Sequence, residues 1–209
     1  MKIVIFDMDG TLIDSKKDIT ISINYIRQVN HNLPPLSEEF VVEAINMDER
    51  NLPKLFYSTL NYEQKDKILF EEHYAKQCTQ NLSLYDGVLS LLENLKSAGV
   101  KLAVATNAPS PFARKMLNSL GVADMFEMII GSDEVRISKP NPEMLEKILQ
   151  FCNYNATTDT AWMVGDSSKD MQSAINAKIK ALFVTWGFSS DSKNYTQIEI
   201  PRQIRDIVL

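Results

Sequence analysis

The sequence predicts an α/β fold, a parallel sheet with helices on both faces and an all-helical insertion near its start. Three observations carry this. Residues 85–209 alternate between short apolar runs and amphipathic stretches, at intervals that suit strand–helix–strand units. The chain opens on residues 3–6, an apolar run of strand length rich in β-branched residues, which reads as a strand buried on both faces. Between these, residues 15–84 carry helical spacing and no convincing strand.

Taken in order, the first strand ends at Asp7 and Asp9, and Gly10 turns the chain sharply. Ile19, Ile23, Ile26 and Asn30 then recur at helical spacing with Val29 beside them, until residues 32–35 break the pattern. Ser37-Glu38-Glu39 starts a second helix that turns Phe40, Val41, Ala44 and Ile45 inward, and Pro53 begins a short piece with Leu55 and Phe56. Asn61 with Gln64 matches a capping box, and the long helix after it carries Ile68, Leu69, Tyr74 and Cys78. After Tyr85-Asp86-Gly87 come a helix over 88–98 ended by Gly99, a strand over 101–105 closed by Thr106-Asn107, and a helix over 111–120 stopped by Gly121. A strand over 126–130, a helix over 142–151 and a strand over 160–164 follow, the last ending in Gly165-Asp166. A helix over 169–177, a strand over 181–185 and a short helix over 203–209 complete the pattern.

Composition narrows the function. The 209 residues, 44% hydrophobic, suffice for a sizeable core. A net charge of −5 without a basic run argues against a nucleic-acid surface, which needs clustered Lys and Arg. No stretch approaches the ~20 apolar residues of a membrane span, and Asp7 interrupts the first apolar run too early for a signal peptide. Cys78 and Cys152 lack metal-type spacing and read as reduced thiols of an intracellular, cytoplasmic protein.

In open parallel sheets, ligands bind off the carboxyl ends of the strands. Asp7, Asp9, Thr106 and Asp166 all fall there. Neighbouring carboxylates repel, so they need a cation or a shared proton, and an oxygen-loving divalent ion such as Mg²⁺ is the simplest partner. A calcium loop also begins Asp-x-Asp, but it places its glycine later and ends on a glutamate at position twelve, where this chain has Asp18. Gly10 has no side chain, so backbone amides can approach a bound group closely. Thr11 either contacts that group or packs.

Phe6-Asp7-Met8-Asp9-Gly10-Thr11-Leu12 resembles the first signature of the haloacid dehalogenase-like hydrolase superfamily, in its phosphatase branch. Val104-Ala105-Thr106-Asn107, Ser138-Lys139-Pro140-Asn141-Pro142 and Gly165-Asp166-Ser167-Ser168-Lys169-Asp170 resemble its second, third and fourth motifs, in the expected order. The resemblance implies a Rossmann-like catalytic core, residues 1–14 and 85–209, with a helical cap, residues 15–84. It implies a Mg²⁺-dependent phosphatase acting on a small phosphorylated metabolite through an aspartyl-phosphate intermediate. Asp7 is then the nucleophile, and Asp9 the general acid and base that also offers its carbonyl to the metal. Thr106 holds a phosphoryl oxygen and Asn107 offers a backbone N–H. Lys139 offsets negative charge on the nucleophile and the phosphoryl group. Asp166 is a metal ligand, while Asp170 orients a water on the metal or Lys139 from behind.

Bland roles compete at several positions. Thr106 and Asn107 suit a helix N-cap, and Asp166 with Ser167 suits a helix start with Asp170 in its first turn. His31 and His73 read as surface or packing residues, Trp162 as core, and Trp186 with Phe188 as core or site rim. Arg50 and Lys54 read as an anion contact or a solvated face. Residues 45–54 lack the glycine expected in the cap specificity segment of phosphoglycolate phosphatases. Two other readings stand beside the phosphatase: a phosphosugar mutase, whose relatives carry an aliphatic residue where this chain has Thr11, and a non-catalytic binding or regulatory module, which has no chemical need for Asp7, Asp9, Lys139 and Asp166 together.

Overall fold

The computed structural model describes residues 1–47, 50–189 and 195–209. The chain divides into two compact units, one formed by Met1–Asp14 with Leu84–Leu209 and the other by Ser15–Ser83. Strand β1 (Lys2–Phe6) opens the first unit. The two-residue strands β2 (Ile13–Asp14) and β3 (Ser83–Leu84) stand where the chain leaves that unit and returns to it.

Six strands make its sheet: β1, β4 (Lys101–Ala105), β5 (Met128–Ile130), β6 (Thr160–Gly165), β7 (Lys180–Val184) and β8 (Gln197–Ile198). All pair in parallel, in the order β5-β4-β1-β6-β7-β8. Parallel neighbours need crossovers, supplied by α5 (Val88–Ser97), α6 (Ser110–Ser119), α7 (Glu143–Phe151) and α8 (Ser168–Asn176). The final helix α9 (Pro201–Val208) has proline in its first turn, where the missing N–H costs nothing. Ile3 and Ile5 pack with Ala103, Met144, Leu145 and Met163 in one buried cluster.

Strand order reverses about β1, the place where doubly wound sheets bind ligands. Phe6 lies level with Val104 on β4 and Val164 on β6. Asp7, Thr106 and Asp166 therefore leave the sheet within two residues of one line. Topology alone brings three distant segments together.

The second unit holds α1 (Lys16–His31), α2 (Glu38–Asn46), α3 (Leu52–Tyr57) and α4 (Gln64–Gln77), around Ile23, Ile26, Val41, Ala44, Phe56 and Tyr57. Two buried aspartates strap it. Asp18 accepts from the Gln77 side chain and from both the N–H and side chain of Asn81, and Asp66 accepts from Asn30 and His31. His73 meets Ser22 and stacks on Tyr25, so both histidines have packing roles.

Several expectations shift. The strand expected from residue 126 begins at Met128, because Phe126 closes a one-turn 3-10 helix. The N-cap of α4 is Glu63 rather than Asn61, without a capping side chain. Val29 and Ile68 face solvent. Strand β8 escapes the pattern because two residues are too few to show alternation.

Candidate active site

The carboxyl end of β1 delivers Asp7 into a buried position, where its Oδ1 accepts from Lys139 Nζ at 2.7 Å. The same ammonium donates to the Ala105 carbonyl and to Asp170 Oδ1, both at 2.6 Å. Three short bonds use all three hydrogens of a lysine that is 4% exposed. Burial alone would lower its pKa, but Asp170 and Asp7 outweigh burial and hold it above the usual lysine range. Lys139 is thus a fixed positive charge.

The acids move the other way. Burial raises Asp7 well above the ordinary carboxylate range, Lys139 opposes this, and Asp170 and Asp166 add to the rise. Burial and then Asp170 push Asp166 up to about 7, against the Phe188 N–H at 2.7 Å and the Thr11 hydroxyl at 3.1 Å. One lysine does not balance this group. Carboxylate oxygens of Asp7, Asp166 and Asp170 all lie within 4.8 Å of one another. An all-oxygen set with surplus negative charge suits a hard divalent cation, so the residues fit Mg²⁺.

Asp170 has two tasks. While Oδ1 takes Lys139, Oδ2 accepts from the Ser167 N–H at 3.1 Å and the Ser167 hydroxyl at 2.6 Å, closing the capping box of α8. Capping and the site are therefore one arrangement here. Asp9 stands apart, half-buried in the turn after β1 and outside that trio of carboxylates. The turn is tight: N–H groups of Leu12 and Ile13 both reach the Met8 carbonyl, and Gly10 has φ +82. A Cβ at Gly10 would lie 2.4 Å from Asp166 Oδ2. Thr11 points its buried hydroxyl at Asp166 Oδ1. Thr106 is buried and its Oγ1 accepts from the Ala108 N–H at 3.0 Å, while the N-cap of α6 is Pro109. The Asn107 side chain meets the main chain of Lys139.

Asp7, Thr11, Lys139, Asp166 and Asp170 form one connected set. The segment after β7, where Trp186 and Phe188 suit core or site rim, braces the site: Phe188 supplies a backbone N–H to Asp166, the Trp186 indole donates to the Thr11 carbonyl at 3.1 Å, and a Cβ at Gly187 would sit 2.3 Å from Asp166 Cβ. Arg50 donates to the carbonyls of Ile45 and Met47 at the end of α2, which is a helix-end contact. Within the stretch 45–54, Asp48 and Glu49 lie outside the described residues.

The model of the haloacid dehalogenase-like hydrolase family matches residues 4–184, which includes every motif above. The chain belongs to the haloacid dehalogenase-like hydrolases. Within them it falls in the phosphatase branch. It is 30% identical over 199 residues to a phosphoglycolate phosphatase of Colwellia psychrerythraea, covering 90% of this chain and 86% of that one. It is 29% identical to the N-acetylmuramic acid 6-phosphate phosphatase of Pseudomonas aeruginosa, over 100% of this chain and 95% of that one. A solved structure from Haemophilus somnus 129pt, described as a predicted phosphoglycolate phosphatase, superposes with a TM-score of 0.85 at 24% identity, covering 100% of this chain and 98% of that one. The fold of this hydrolase is therefore the fold of that family. Among the described residues no helix is long and apolar enough to cross a membrane.

Proposed function

We propose that this hydrolase cleaves the phosphomonoester of a small metabolite in two displacements at Asp7, with Mg²⁺ as its cofactor. The observation that carries the reading is the Lys139 ammonium, held 2.7 Å from Asp7 and 2.6 Å from Asp170 beside Asp166. In the first step a carboxylate oxygen of Asp7 bonds to phosphorus. The bond from phosphorus to the ester oxygen breaks, and Asp9 gives that oxygen its proton. In the second step Asp9 takes a proton from water, the water oxygen bonds to phosphorus, and the Asp7–phosphorus link breaks, releasing phosphate.

Lys139 keeps a positive charge beside the nucleophile through both steps, where charge builds on the phosphoryl oxygens. The Thr106 hydroxyl and the Asn107 N–H hold phosphoryl oxygens, and Gly10 and Thr11 shape the turn that faces them. Asp7 and Asp166, with the Asp9 carbonyl, would hold the cation, and Asp170 secures Lys139 from behind. When bound, the cation supplies neutralising charge to the acids and the phosphate. Small phosphorylated metabolites are the substrates named for the Colwellia and Pseudomonas relatives, which supports that class. Nucleic acids and membranes are not expected partners. Cys78 and Cys152 are buried thiols outside any disulfide, which supports a reducing compartment such as the cytoplasm.

An assay with p-nitrophenyl phosphate and Mg²⁺ tests the reading. Release of inorganic phosphate that Asp7→Asn lowers by about 10⁴-fold or more supports it. Isomerised sugar phosphate without phosphate release would favour a mutase. No turnover across a panel of phosphorylated metabolites would favour a binding module.

A further inference from the structure

We infer that the Asn107 side chain is a positioning residue for Lys139, acting through the lysine's own main chain. Asn107 Nδ2 donates to the Lys139 carbonyl at 3.0 Å, and Asn107 Oδ1 accepts from the Lys139 N–H at 3.0 Å. One primary amide thus closes on both main-chain polar groups of a single residue far along the chain. Among side chains, an amide carries a donor and an acceptor side by side, as this contact requires.

The other end of the lysine is held from the same strand exit. Ala105, two residues before Asn107, accepts from Lys139 Nζ at 2.6 Å. Residues 105 and 107 therefore grip Lys139 at both ends of its side chain. This matters because lysine is a point charge on a flexible four-carbon stem. Where its ammonium sits relative to Asp7 depends on where its Cα is pinned. The next residue is tied as well: Asn176 Nδ2, at the end of the helix that carries Asp170, donates to the Pro140 carbonyl at 3.0 Å. Releasing the Asn107 clasp frees the loop on the side that faces β4 and lets the charge drift from the nucleophile.

The inference rests on the proposed charge role of Lys139, so the two are tested separately. Asn107→Ala is expected to lower kcat on p-nitrophenyl phosphate by about 10- to 100-fold, with KM and the tungstate inhibition constant within about threefold. Asn107→Asp is nearly isosteric and keeps the bond from the Lys139 N–H. It should retain the wild-type circular dichroism spectrum yet lose about tenfold in kcat. In a Lys139→Ala background, Asn107→Ala should change the residual rate by less than about twofold. Wild-type kcat in both Asn107 variants would overturn the inference, as would a loss carried by KM, or an undiminished loss in the Lys139→Ala background. A Lys139→Ala enzyme as active as wild type would instead defeat the charge role itself.

Discussion

Lys139 shows how a single side chain can be both a stabilising and a chemical element. Its ammonium is almost fully desolvated, which is expensive, yet two carboxylates and a carbonyl take every hydrogen. Removing one member of such a buried pair leaves uncompensated charge, which costs about 3–5 kcal/mol. Lys139→Ala is therefore expected to lose turnover and to unfold at lower urea, with a stability loss of that order. Lys139→Arg should not restore activity, because a planar fork cannot reach three acceptors arranged around one nitrogen. A Lys139→Ala protein with wild-type urea midpoint would refute the ion-pair energetics.

Among the secondary-structure elements, β1, β4 and β6 each end just before an acid or hydroxyl at the same edge of the sheet, and this much was legible. The apolar runs before Asp7, Thr106 and Asp166 have strand length, and the polar residue that stops each run marks the carboxyl end. Ser167 and Asp170 were legible as a helix start, which they are while also serving the site. In the loop after β7, where Trp186 and Phe188 suit core or site rim, the particular contacts were opaque for a physical reason. Phe188 contributes a backbone N–H, which leaves no trace in side-chain type, and Gly187 contributes only the absence of a Cβ. The buried Asp18 and Asp66 were opaque too, since an acid in a helix reads as a solvated one until its partners, distant in sequence, are known.

Close approach at Gly187 is testable. In Gly187→Ala the new methyl would meet Asp166 Cβ at 2.3 Å and the Gly10 carbonyl at 2.4 Å, so the loop must move away. The Phe188 N–H would then leave Asp166, and the acid would lose its orientation. Groups that orient metal ligands are worth about 10- to 100-fold in metal affinity. The Mg²⁺ concentration for half-maximal activity should rise by that factor, and calorimetric titration should show the same weakening. Equal Mg²⁺ affinity in the two proteins would mean that the loop does not hold Asp166.

Stability of the folded chain as a function of pH follows from the same acids. Without divalent cation, burial and then Asp170 push folded Asp166 up to about 7, against the ordinary carboxylate value of about 3.9 for the unfolded chain. Between those values the folded state binds more protons than the unfolded state, so unfolding free energy falls as pH rises. Asp7, raised for the same reason of burial, adds to this slope. Lys139 does not contribute in this window, because its folded value is raised above the lysine range and its stabilisation is lost only at high pH. The melting temperature without divalent cation should therefore drop from pH 5.5 to pH 7.5. Mg²⁺ should restore it, more at pH 7.5 than at pH 5.5, since protons and the cation compete for the same oxygens. Asp166→Asn removes one titrating group and should flatten the slope without abolishing it. An unchanged slope in Asp166→Asn would show that other groups set the pH dependence. A Mg²⁺ effect of equal size at both pH values would show that the cation binds away from the acids at the end of β1 and β6.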